Sequence, residues 1–166
     1  MNAFYKAIFS PTFGSSINQG FTLIEMLVVL SFIGILTSLG IASYSSYNSS
    51  QSVQSSATDV ETLLASAKSR AISQVIPSSC GTNPLTGYQV DFTISAGQYT
   101  LSAICGSKQV QSTNALPSQI TFATGSTASV LFSVATGTVS PATILITGYG
   151  KTKTITVSQT GIISVK

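Results

Sequence analysis

Residues 21–42 read FTLIEMLVVLSFIGILTSLGIA, twenty-two residues with a single ionised side chain, Glu25. A helix rises 1.5 Å per residue, so about 20 apolar residues cross the ~30 Å hydrocarbon layer of a bilayer. A soluble helix packed on one side seldom stays apolar all round for so long. The run is therefore expected to be a membrane-spanning helix. Lys6 is the only basic residue before Lys68, and the positive-inside bias accordingly puts the N-terminus in the cytoplasm. The simpler alternative is a cleaved secretory signal with small residues near Gly40, Ile41 and Ala42. Two features count against it. The region before the apolar run is long and holds Phe4, Tyr5, Ile8 and Phe9. A carboxylate inside the run also costs on the order of 2.5–3.5 kcal/mol on insertion scales, with no benefit to a segment that is discarded.

The remaining composition narrows the function classes. Charged residues make up 7% of the 166-residue chain, hydrophobic residues 43%, and histidine is absent. That much apolar surface with a formal charge of only +3 argues for a folded chain. Without histidine, most metal sites and every histidine-based acid, base or nucleophile activator disappear. Serine and threonine number 29 and 21, but no Gly-x-Ser-x-Gly elbow and no glycine-rich phosphate loop occurs. Asp59 and Glu61 lie two apart on a helix and point away from each other. The expectation is a non-enzyme with no cofactor and no metal.

Past residue 42 the pattern changes twice. Ser43 to Ser56 is serine-rich, the stretch where helix continuity is least secure. Val53, Ala57, Val60, Leu64, Ala67 and Ala71 then recur at intervals of three and four, widened by Leu63, Ile72 and Val75. Asp59, Glu61, Lys68 and Arg70 fall off this stripe, and Pro77 disfavours helix at Ile76. From Tyr88 the period becomes two. Candidate strands are Tyr88–Ile94, Tyr99–Ala103, Gln119–Ala123, Ser129–Val134, Ala142–Thr147, Thr152–Val157 and Ile162–Val165. Hairpin turns are expected at Gly148-Tyr149-Gly150 and Ser158–Gly161. The fold class is α+β: a long helix packed on an antiparallel β-sheet domain.

Cys80 and Cys105 are the only cysteines. An even count beyond a membrane segment reads as a disulfide, and a pair of free thiols follows only if the domain stays in a reducing compartment.

Gly20-Phe21-Thr22-Leu23-Ile24-Glu25, followed by Met26-Leu27-Val28-Val29-Leu30, resembles the N-terminal signature of type IV pilins and pseudopilins. The resemblance implies cleavage after Gly20 by a prepilin peptidase, N-methylation of Phe21 and a role for Glu25 in assembly. The chain then divides into a leader (1–20), a transmembrane and assembly half-helix (21–42), an amphipathic half-helix (43–76) and a β-rich domain (77–166). One departure is that Ser15–Gln19, before the cleavage position, carries no charge. Glu25 would accept the Phe21 ammonium of a neighbouring subunit, against the plainer reading that it snorkels to water at the interface. Residues 63–72 and the C-terminal stretch from Ile155 resemble those of H-type minor pseudopilins and related minor pilins. The implied function is a structural subunit of a type IV pilus or type II secretion pseudopilus. The implied location is a single pass of the bacterial inner membrane with the domain periplasmic or extracellular, then the filament. The alternatives are a major pilin, or a membrane-tethered DNA- or surface-binding module of a competence system. In DNA-binding relatives arginines follow the hairpin glycine, where this chain has Ile162 and Ser164. Lys151, Lys153 and Lys166 stand as candidate nucleic-acid contacts, with solubilising edge lysines as the other reading.

Overall fold

The computed structural model describes residues 20–166, with the backbone alone over 38–42. The expected leader, including Lys6, lies outside the described residues except for Gly20. Two compact units are present, divided between Ile41 and Ala42.

Helix α1 runs Leu23–Ile72 without interruption, through the serine-rich stretch as well. Serine and threonine compete with the backbone for hydrogen bonds, and here they do so without breaking the helix. Among the described residues seven hydroxyls donate to the carbonyl four residues back, including Ser31 to Leu27 O (2.9 Å), Thr37 to Ile33 O (2.7 Å) and Ser56 to Ser52 O (2.9 Å). The helix ends at Ile72, four residues short of the expected boundary at 76. Val75 N donates to Arg70 O (3.2 Å) and Gln74 N to Ala71 O (3.3 Å), with Gln74 at φ 52°. That is a Schellman close built on glutamine, where glycine is the usual residue. Ile72 and Val75, expected on the buried stripe, are consequently exposed.

Eight strands follow: β1 Gly87–Thr93, β2 Gln98–Cys105, β3 Ser107–Ala115, β4 Ile120–Phe122, β5 Ser129–Ser133, β6 Ala142–Gly148, β7 Lys151–Val157 and β8 Ile163–Val165. They form two four-stranded sheets, β3-β2-β1-β5 and β4-β6-β7-β8, with every pairing antiparallel. The sequence pattern missed β3 and did not resolve the two sheets. SKQVQSTNA has no apolar alternation because neither face of this edge strand is buried to any depth. The expected hairpins are present. Gly148 pairs with Lys151, leaving a two-residue loop in which Tyr149 and Gly150 both take positive φ, 52° and 70°. This is the primed turn that suits the twist of paired strands.

One core joins these elements within residues 42–166. Val53, Ala57, Val60, Leu64, Ala67 and Ala71 are all at most 1% exposed, so the whole stripe is covered. It meets the alternating faces of both sheets, with Tyr88, Leu101 and Phe132 from the first and Ile144, Ile146 and Ile155 from the second. Phe92 and Tyr99 of the first sheet stand edge-on to Phe122 of the second, with ring centroids 5.2 and 6.2 Å apart. These rings fill the join between the sheets. The helix end is fixed by Tyr88, whose hydroxyl donates to Val75 O (2.7 Å). Lys68 Nζ donates to Gly161 O (2.8 Å) and Thr160 O (3.2 Å), tying the β7–β8 turn to the helix. Gly161 has φ 71°, and a Cβ there would stand 2.7 Å from Gly137 O, so the turn needs glycine on both counts. Cys80 and Cys105 form a disulfide, Cα–Cα 5.7 Å, that fastens the segment after the helix to the end of β2.

Candidate assembly site

The N-terminal site is built around the start of α1. Thr22 precedes the first helical residue; its carbonyl accepts from Met26 N (3.2 Å) and its hydroxyl from Glu25 N (3.2 Å). Thr22-x-x-Glu25 is thus placed as a capping pair, with the glutamate at the third helical position. Its carboxylate lies in the first turn, where the partial positive charge of the helix N-terminus favours an anion. This local role stands beside the intersubunit role expected of Glu25, and the Thr-x-x-Glu spacing is its signal in the sequence. Gly20, Phe21 and Glu25 are all exposed, at the mouth of the helix.

Beyond Glu25 the exposed surface is apolar on every side. Phe21 is 72% exposed, Leu23 82% and Leu36 68%, and the large side chains between them are all exposed as well. Scattered exposed leucines are ordinary, whereas a continuous sleeve of this kind marks a surface that another apolar surface covers. The expected span 21–42 includes residues 38–42, whose side chains lie outside the described residues. Among the described residues no helix is long and apolar enough to cross a membrane.

The folded unit carries few charged groups. Asp91 is occupied locally: Lys108 Nζ lies 2.6 Å from its carboxylate and Gln89 Nε2 donates to it at 2.6 Å. The three candidate lysines are not brought together. Lys151 and Lys153 share the face of β7 that also carries Ile155 and Val157. Lys166 exchanges backbone hydrogen bonds with Thr154 (2.9 and 3.0 Å), so its side chain belongs to the opposite face. Burial raises the pKa of the Tyr88 hydroxyl, with the Arg70 charge opposing. Burial raises that of Tyr99 as well, and Asp59 adds to the shift.

No family model matches the chain. Two fimbrial proteins of Pseudomonas aeruginosa are each 33% identical to it over 96 residues, 58% of this chain and 60% of theirs. The chain thus spans somewhat over half the length of the curated relatives it matches. Among solved structures, the minor pseudopilin EpsH from the type 2 secretion system of Vibrio cholerae superposes with a TM-score of 0.51 at 17% identity, over 69% of this chain and 95% of that one. The fold is therefore shared with a pseudopilin: a long N-terminal helix packed against antiparallel sheet. The sequence likeness is thus to fimbrial proteins and the likeness of fold to a minor pseudopilin.

Proposed function

We propose that this protein is a structural subunit, a minor pilin or pseudopilin, of a type IV pilus or type II secretion pseudopilus. The observation that carries the reading is one helix with two chemistries. Its first half is an unburied apolar sleeve headed by Gly20, Phe21 and Glu25. Its second half is the core element of a folded unit. An anchor alone needs only the first, and a soluble binding domain only the second.

In this reading a prepilin peptidase cuts between Gly20 and Phe21, and the inner membrane holds the apolar half until assembly. Cleavage creates an ammonium at Phe21 that apolar surroundings accept only when a carboxylate meets it. Glu25 of an adjacent subunit supplies the partner and fixes the axial register, and the packed helices of neighbouring subunits replace lipid around the sleeve. The function is structural rather than catalytic.

The experiment compares wild type with Glu25→Ala and Gly20→Val in cells carrying only the mutant copy. Mass analysis of the wild-type protein is expected to find a mature start at Phe21, and Gly20→Val is expected to remain uncut. Glu25→Ala is expected to be processed and inserted but absent from sheared filaments. Stranding one buried charge costs about 3–5 kcal/mol, on the order of a hundredfold to several thousandfold in the docking equilibrium. A mature start at Ser43, or wild-type amounts of Glu25→Ala in the filament fraction, overturns the reading.

A further inference from the structure

Between α1 and the end of β3 lies a cleft of about 520 Å³, wholly within residues 42–166. Spacing sets its helix wall. Asp59, Leu63 and Ser66 stand at intervals of four and three, so they form one row beside the buried stripe of Val60, Leu64 and Ala67. Register sets its sheet wall. Tyr99 of β2 and Asn114 of β3 are direct cross-strand partners, so their side chains rise from the same face of the sheet, and Ala115 completes that wall.

The polar groups gathered here are uncommitted. Tyr99 is only 6% exposed, with its ring edge-on to Phe122, yet its hydroxyl has no hydrogen-bond partner among the described residues. A buried tyrosine hydroxyl usually finds one, as that of Tyr88 does on Val75 O at 2.7 Å. The Ser66 hydroxyl and the Asn114 side-chain amide are also without partners among the described residues. Asp59 is exposed and has no ion pair among them. Lys68 is held by the Thr160 and Gly161 carbonyls and Lys108 by Asp91, so neither neutralises it. Burial raises the Tyr99 pKa and the Asp59 charge adds to the rise, as expected of a carboxylate and a phenol that open on the same space.

Few ligand chemistries satisfy this set. A carboxylate with no cation beside it disfavours an anion. A metal ion would find a single charged ligand, since no group of three acidic, cysteine or histidine side chains occurs among the described residues. An ammonium brings three donors and a charge. It finds the Asp59 carboxylate and the oxygens of Tyr99, Ser66 and Asn114, while Leu63 and Ala115 offer apolar surface to the methylenes behind it. We propose that this cleft binds an aliphatic primary ammonium, its head against Asp59 and Tyr99 and its stem along Leu63 and Ala115. The group arrives on a small free amine or on a lysine side chain of a partner protein. The cleft is separate from the apolar half of α1 and does not depend on the role proposed for that half.

The test titrates the full chain, in detergent micelles near neutral pH with its disulfide intact, and follows the Asn114 side-chain amide by NMR. Pentylammonium is the free-amine probe and N-acetyl-lysine methylamide the side-chain probe. N-acetyl-norleucine methylamide keeps an aliphatic stem without the ammonium. Both ammonium probes are expected to give saturable shifts and the norleucine compound none, and the tighter of the two identifies the source. Asp59→Asn is expected to weaken binding about tenfold or more, as loss of a charged hydrogen-bond partner does. Tyr99→Phe keeps the ring against Phe122 and is expected to weaken it about three- to tenfold. Glu61→Gln removes the same charge two residues along the helix, outside the cleft, and is expected to change nothing. Shifts that fail to saturate with either ammonium, an equal response to the norleucine compound, or equal losses from Glu61→Gln and Asp59→Asn overturn the proposal.

Discussion

Gln74 holds a left-handed conformation at φ 52°, which costs an L-residue with a Cβ roughly 1–2 kcal/mol and glycine almost nothing. Gln74→Gly is expected to stabilise the protein by about 0.5–1 kcal/mol after the extra chain entropy of glycine is deducted, read as a higher urea midpoint at unchanged slope. The residue was invisible in the sequence because the helix closes without the glycine that normally marks that position, and Pro77 drew the expected boundary too late. Tyr88 and Tyr99 make a second case. Both hydroxyls have pKa values raised above the ordinary tyrosine value of 10.0, chiefly by burial. The folded state thus holds these protons more tightly than the unfolded chain. Their contribution to stability is complete below pH ~10 and is lost as pH climbs through the folded value. Tyr99→Phe is expected to flatten the loss of stability above about pH 9.5, where the unfolded tyrosine begins to ionise appreciably. Denaturant titrations across that range check it, and an unchanged alkaline slope counts against the assignment.

The elements were legible where one face is buried and illegible where neither is. Every residue of the Val53–Ala71 stripe set at intervals of three and four is in the core, and Tyr88, Val90, Phe92, Tyr99, Leu101 and Ala103 alternate inward as their spacing requires. β3 failed the same test because period-two patterning records burial rather than pairing, and an edge strand is paired with little burial on either side. Thr22 is legible through its three-residue spacing to Glu25, the signature of a helix N-terminus. The disulfide was legible from counting. It closes a 25-residue separation between the end of the helical region and β2. Cys80→Ala with Cys105→Ala is expected to lower stability by about 3.5 kcal/mol, the loop-entropy value for that length. Tyr88–Val75 continues to hold the segment after the helix to the first sheet, so the fold is retained. Thermal unfolding and the near-ultraviolet dichroism of the double variant measure both halves of that statement.

At the scale of the molecule, the core of residues 42–166 draws nothing from before Val53 among the described residues. A chain beginning at Ala42 is therefore expected to fold with its disulfide and to stay soluble without detergent. Its thermal midpoint should match that of the same region in the full protein within a few degrees. A molten or aggregated product counts against two separate units. The division into an apolar half-helix and a β-rich body was plain from hydropathy alone, whereas the split into two sheets depends on contacts distant in sequence that no local pattern encodes. The hydroxyl-to-carbonyl bonds along α1 have one last consequence. A serine or threonine that must find its partner in water becomes an unmet donor once water is withdrawn. Ser31 and Thr37 have already spent their donors on Leu27 and Ile33 inside the helix. On the proposed reading, these two side chains would pass from lipid to a packed bundle without reopening either bond.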